Sequence, residues 1–208
     1  MKKFVVMLIS MFLSLSILGC AKPEPKPSET VTKVLNLLKT DVQADFSPYF
    51  HGEFDNSDFV PTSKDDSELA KKLESTLIAR YTDFDYVILN ETIAEDKKTA
   101  TVEVEFTTYD IGTLIISFIT QYIVKAFELA FAGKTEAELN QAGIDLLDTL
   151  SKDMKKDKVS RVSASLSFVN GVWLIDAGEE KNRGFFNGLT GGMIDSIEKW
   201  TESMGEDE

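Results

Sequence analysis

Side chains that could do nucleophilic or metal chemistry are few in this sequence. The 208 residues include one Cys, Cys20, and one His, His51. A single Cys excludes a disulfide framework and a Cys-rich zinc site, and a single His leaves almost no imidazole chemistry. His51 stands in a polar, Gly-containing stretch, so we expect it to be an exposed loop residue.

Carboxylates are so numerous, at 35 Asp and Glu residues, that no pair stands out for acid–base work. Asp110 precedes an apolar run and is predicted to cap a helix. Asp176 ends a predicted strand, where we expect it to be solvated. The remaining cluster is an acidic stretch without the ligand spacing of a calcium loop: Asp55, Asp58, Asp65 and Asp66. The sequence therefore predicts no metal site and no cofactor.

Length and composition are those of one ordinary globular domain. The chain is 43% hydrophobic and contains 14 Phe residues, which is enough apolar mass for a core. Its formal net charge is −13. Because fixed negative charge repels phosphate backbones, we expect no nucleic-acid partner.

The N-terminal segment is typical of a targeting signal. Lys2 and Lys3 precede an uncharged, mostly apolar run, 4–18, which is short for a membrane span. The run ends in Ile17-Leu18-Gly19-Cys20, which resembles the lipobox of bacterial lipoproteins. That resemblance implies removal of residues 1–19 and attachment of a lipid to Cys20. An ordinary signal peptide is the alternative.

The residues after Cys20 are predicted to be a tether. Residues 20–28 comprise the lipidated Cys and the Pro-rich AKPEPKP, which favours an extended, solvated spacer. Two acyl chains suffice for stable anchoring. The resemblance thus implies a membrane partner, through the lipid, and a place on the extracytoplasmic face of the cell membrane.

Hydrophobic periodicity predicts an α+β domain over residues 29–200, followed by an acidic tail, 201–208. Ser28 is expected to cap the first helix. Asn170-Gly171 predicts a type I′ hairpin turn between the last two strands. The elements are helices at 28–41, 69–81 and 186–200, a loop at 51–66, and strands at 84–89, 100–107, 162–168 and 172–175.

A helical insertion, 110–155, separates the two strand pairs. Asp110 is predicted to start its first helix, Gly133 to end it, and Thr135-x-x-Glu138 to cap the second. After the last predicted strand, Gly184, Gly188 and Gly192 fall four residues apart. They form either a small-residue stripe or a flexible connection, and their spacing fits no dinucleotide or phosphate loop.

Two stretches resemble domains similar to nuclear transport factor 2. One is Val31 to Asp41 with Phe46, Tyr49 and Phe50; the other is the closing Asn170-Gly171-Val172-Trp173-Leu174-Ile175-Asp176. The resemblance covers 28–108 and 158–177, and the insertion departs from it. It implies a strongly curved antiparallel sheet, shaped as a cone, with N-terminal helices packed on it.

The uncharged run 111–124 is the most apolar part of the chain after the targeting signal. It predicts a core helix packed on the sheet; a wall of an apolar cavity and membrane insertion are alternatives. We expect Phe118 and Tyr122 to lie between the helical pair and the sheet. The residues predicted to line such a cavity are Phe106, Ile115, Phe118, Tyr122, Phe168 and Trp173.

These features favour a non-enzymatic, membrane-anchored lipoprotein that binds an apolar ligand or an envelope protein. The first alternative is a small-molecule enzyme of the ketosteroid isomerase-like type, a branch of the same fold. Its candidate residues are Tyr86, Asp110 and Asp176. The second alternative is a purely structural envelope protein with a filled core.

Overall fold

A computed structural model describes residues 24–56 and 65–205. The predicted signal peptide, Cys20, Asp58 and the last three residues of the acidic tail lie outside these ranges. The described helices are α1 (Pro27–Thr40), α2 (Glu68–Tyr81), α3 (Ile111–Phe131), α4 (Glu136–Lys152), α5 (Glu179–Leu189) and α6 (Met193–Gly205). The strands are β1 (Phe50–His51), β2 (Asp85–Ile93), β3 (Thr99–Tyr109), β4 (Lys156–Val169) and β5 (Val172–Asp176).

The predicted α+β class is confirmed, with one sheet in the order β1-β5-β4-β3-β2. Neighbouring strands from β2 to β5 pair antiparallel, and β3 and β4 form the longest ladder. The expected antiparallel pairing holds for these four strands, but β1 departs from it and runs parallel to β5, with Phe50 opposite Ile175. Part of the predicted loop 51–66 is therefore strand.

Local capping signals fixed the helix ends where they were expected, with one exception. Asp110 accepts a hydrogen bond from the Thr113 backbone, and Thr135 and Glu138 form a complete capping box. Gly133 follows α3 with φ of 70°. Ser28 is not a cap: α1 starts at Pro27, whose ring is preorganised for the first helical position.

The C-terminal helix is broken in two, whereas one continuous helix was predicted over 186–200. Gly191 and Gly192 adopt φ of 60° and 80° between α5 and α6. A Cβ on Gly191 would lie 2.0 Å from the Tyr109 carbonyl oxygen, so the break is held against the end of β3. The predicted glycine stripe is therefore interrupted at Gly192, and α6 continues to Gly205.

The core lies between the sheet, α1 and α5. Phe84, Phe106 and Phe185 are fully buried and pack ring against ring. The buried face of α1 covers the sheet beside them, with Val31, Val34, Leu35 and Leu38 each fully buried. The same buried cluster continues to the first turns of α3 and to Leu147 of α4.

Candidate functional site

The hairpin of α3 and α4 has a buried root and an exposed tip. At the root, Ile111, Leu114, Ile115 and Phe118 are buried, and α3 packs mainly against α4 and α6. A Cβ on Gly112 would lie 2.3 Å from Ser196 Oγ, so α6 lies directly on this first turn. The expected cover, the concave face of the sheet, is not what α3 packs on.

Beyond the root, one side of α3 is apolar and open to solvent. Its exposed fractions are 43% at Ile123, 58% at Val124, 63% at Phe127 and 89% at Phe131. Ile119, Ile123, Phe127 and Phe131 are four residues apart, and Val124 lies three residues before Phe127, so they share one side of the helix. We call Ile119, Ile123, Val124, Phe127 and Phe131 the outer face of α3.

The prediction of a core helix is therefore wrong for the second half of α3. Only 17% of its most apolar stretch is buried. Among the described residues, α3 is the one helix with the length and composition of a membrane span. A helix that is apolar on most sides is normally covered on most sides, and this one is not.

The opposite side of α3 borders a cleft. Phe118 and Tyr122 stack there, with ring centroids 5.5 Å apart and planes within 6°. α4 approaches closely at Gly143, where an added Cβ would lie 2.7 Å from Leu69 Cδ2 and 2.9 Å from Tyr122 Cε2. Glycine at this position thus allows α2, α3 and α4 to meet.

The cleft between these three helices has a volume of about 510 Å³. That size lies within the range of small-molecule pockets. Its apolar floor comes mainly from α2 and α3: Leu69, Ala70, Leu73, Leu77, Phe118 and Tyr122. The polar lining residues are Asp65, Ser67, Glu74, Glu136 and Asn140.

The charged residues that line the described part of the cleft are of one sign. Three of the described lining residues, Asp65, Glu74 and Glu136, carry carboxylates, and none is Lys or Arg. The whole chain, including these three carboxylates, has a net charge of −13. The cleft therefore disfavours anions and suits neutral or cationic apolar molecules.

The structure brings only two of the six predicted lining residues into this cleft, Phe118 and Tyr122. Ile115 is buried one turn before them. Phe106 is fully buried between Phe84 and Phe185 in the core. Phe118 belongs to the same buried cluster as Phe106, and α3 as a whole packs mainly on α4 and α6.

Phe168 and Trp173 form a separate pair at the far end of β4, with ring centroids 4.9 Å apart. Trp173 Nε1 donates a hydrogen bond to the Pro25 carbonyl oxygen, at 2.9 Å. These rings therefore lie against the end of the predicted tether rather than in a pocket with Phe118.

The three candidate catalytic residues lie apart from one another. The Tyr86 hydroxyl donates to Asn36 Oδ1 on α1, at 2.9 Å. Asp110 lies at the root of α3, 2.7 Å from Lys158 Nζ. Burial pushes the pKa of Asp110 up, but hydrogen bonds from Lys158 and Thr113 outweigh it and hold that pKa below its ordinary value.

Asp176 is buried, at 5% exposure, rather than solvated as expected. Its carboxylate accepts hydrogen bonds from Ser167 Oγ at 2.7 Å and Lys181 Nζ at 3.2 Å. His51 Nδ1 lies 3.3 Å from the same group. Sequence reasoning missed this cluster, because only the parallel pairing of β1 with β5 brings His51 beside Asp176.

His51 was expected to be an exposed loop residue; its side chain is 49% exposed, but it lies in β1. Among the described residues, no group of three or more His, Cys, Asp or Glu side chains is placed to hold a metal ion. Comparison with known proteins yields no match to any protein-family model, curated protein or solved structure.

Proposed function

We propose that this protein is a lipid-anchored binding protein of the extracytoplasmic membrane face. In this proposal its α2–α3–α4 cleft takes a neutral or cationic apolar ligand. The observation that carries the ligand proposal is the cleft itself, because its floor is apolar and the charged side chains among its described lining residues are acidic. Lipid anchoring rests on the lipobox resemblance at Cys20 and on the Pro-rich segment behind it.

Ligand charge can be tested with two naphthylamine dyes that share a chromophore. N-phenyl-1-naphthylamine is neutral, and 8-anilinonaphthalene-1-sulfonate is anionic. We expect the protein to bind the neutral dye severalfold more tightly. Equal binding, or tighter binding of the anion, would contradict the proposed selection by charge.

The place of binding is tested by filling the cleft. Ala70 lines it and is partly exposed, so Ala70→Trp should fill space and abolish binding of the neutral dye. The control variant is Phe127→Ala. Phe127 lies on the outer face of α3, outside the cleft, so this variant should bind the dye as the wild type does. Native mass spectrometry of the protein from its host would then identify a co-purifying natural ligand.

Anchoring is tested separately from ligand binding. Cys20→Ser should leave the chain without a lipid, and carbonate washes should then release it from membranes. Retention of the variant as tightly as the wild type would overturn the lipobox interpretation. We also propose the fold relationship to domains similar to nuclear transport factor 2, with α3 and α4 as an addition.

A further inference from the structure

We infer that the outer face of α3 is a homodimer interface, through which two copies anchored in one membrane associate side by side. The membrane part of this inference rests on the proposed lipid anchor. The association itself rests on the exposed face. An apolar helix side left open in this way marks a binding surface.

The amount of exposed apolar surface fits a dimer. A buried aromatic side chain covers 150–250 Å². At 63% and 89% exposure, Phe127 and Phe131 together offer roughly 300 Å². Ile123 and Val124 raise this to roughly 450 Å², the size of the largest apolar patch on a monomer, which is often a functional surface.

A homodimer interface is about 65% apolar, so roughly 450 Å² of apolar surface corresponds to roughly 700 Å² in total per copy. That area is close to the roughly 800 Å² per partner of a standard stable interface. Charge does not oppose the contact locally: α3 contains one Lys, Lys125, and one Glu, Glu128, and these two lie within 3.4 Å of each other.

The position of the tether places the root of α3 far from the lipid anchor. Trp173 binds Pro25, so at most five residues, or about 18 Å, separate Cys20 from the body. Trp173 pairs with Phe168 near the end of β4, whereas Tyr109, just before α3, pairs with Lys156 at its start. The twelve steps between Lys156 and Phe168 span about 40 Å.

The hairpin is thus rooted at the end of the sheet remote from the anchor. Lipid anchors also hold every copy at one height above the membrane, so the same residues of two copies meet. A two-fold axis along the membrane normal then places each outer face opposite itself, the arrangement most common among homodimers.

Cysteine crosslinking in membranes tests this arrangement in the whole chain. Cys20 is the single native Cys, so any disulfide-linked dimer that the wild type lacks must form through the introduced Cys. Thr120 is exposed and lies on the side of the outer face, and Gln121, also exposed, points about 100° away. We expect Thr120→Cys to give severalfold more disulfide-linked dimer than Gln121→Cys.

Adding Phe127→Glu to Thr120→Cys should abolish the dimer, since a carboxylate would be buried against its own counterpart. The melting temperature of Phe127→Glu should stay at the wild-type value, because the native ring is mostly in solvent. Equal crosslinking at Thr120→Cys and Gln121→Cys would overturn the proposal, as would no dimer at either. If the thiol of Thr120→Cys gives no dimer and is shielded from water by lipid, the outer face binds the membrane and the dimer proposal is wrong.

Repeating the crosslinking with Cys20→Ser separates the dimer from the anchor. If the released chain still forms the Thr120→Cys dimer at higher concentration, the interface stands on its own. Failure of carbonate release would count against the anchor alone. A monomeric released chain at every concentration, by sedimentation, would count against the dimer alone.

Discussion

Trp173 Nε1 donates a hydrogen bond to the Pro25 carbonyl oxygen at 2.9 Å, and the two residues lie 148 positions apart in the chain. This bond fastens the end of the predicted tether to the last hairpin of the sheet. Thr30 Oγ1 donates to the Trp173 carbonyl oxygen at 2.8 Å, so α1 is held to the same residue. The free part of the tether is shortened accordingly.

Trp173→Phe should therefore loosen the tether while keeping the aromatic contact with Phe168. A hydrogen bond of this kind contributes about 1 kcal/mol to stability. We expect a small fall in melting temperature and faster protease cleavage between residues 21 and 26. Tyr86→Phe, which removes a hydrogen bond to Asn36 at another site, should leave the cleavage rate unchanged.

The substitution of Gly by Ala should affect stability differently at three positions, because the backbone and the surrounding space differ. Gly171→Ala should destabilise the domain by about 1 kcal/mol, because its φ is 87°. Gly112→Ala should destabilise it through contact with Ser196 and the Gly192 carbonyl oxygen. Gly184→Ala meets open space inside α5 and should stabilise by up to about 1 kcal/mol.

Thermal melts of the three variants check these signs. An unchanged melting temperature for Gly171→Ala would contradict the type I′ turn. A stabilised Gly112→Ala would mean that α6 does not lie on the first turn of α3.

Local signals made part of this structure predictable from sequence. The Thr135 and Glu138 capping box, the Asp110 cap and the Asn170-Gly171 turn each depend on residues within three or four positions, and all are present. The parallel pairing of His51 with Asp176 was not predictable in this way, because a two-residue strand has no periodicity.

The candidate site was also predictable only in part. Composition showed that α3 is apolar on most sides, but composition does not state which side a neighbour covers. In the structure, α4 and α6 supply most of the cover of α3, and Phe118 joins the buried cluster from that side. The cleft depends on the close approach at Gly143, which no local pattern reveals.

Stability should depend on pH through Glu138 at the start of α4. Hydrogen bonds from Lys134, then from the Thr135 backbone and hydroxyl, lower the pKa of Glu138 to about 2. A carboxyl with a lowered pKa stabilises the folded state above its ordinary pKa, and this contribution is lost as pH falls through the folded value. The loss should therefore occur between about pH 4.3 and pH 2.

Glu138→Gln can retain the capping box geometry but removes the charge. The wild type should melt at a higher temperature than this variant at pH 7, and the difference should shrink as pH falls toward 2. Because the site is exposed, added salt should shrink it too. A difference that stays constant from pH 7 to pH 2 would show that charge plays no part.

The last prediction separates the two sides of α3. Phe118 is 5% exposed and lines the cleft, whereas Phe127 is 63% exposed on the outer face. Phe118→Ala should cost about 3 kcal/mol, at the lower end for a buried Phe, because one side of the ring already borders open space. It should also abolish binding of the neutral dye and leave dimerisation intact in folded protein.

Phe127→Ala should give the opposite result. Its ring contributes little to the folded monomer, so the melting temperature of the monomer should hardly change, and dye binding should be retained. Sedimentation should show weaker dimerisation, because the variant loses most of an exposed aromatic side chain from the outer face. If Phe127→Ala lost dye binding as Phe118→Ala does, the cleft and the outer face would form one site, and the separate roles proposed for them would be wrong.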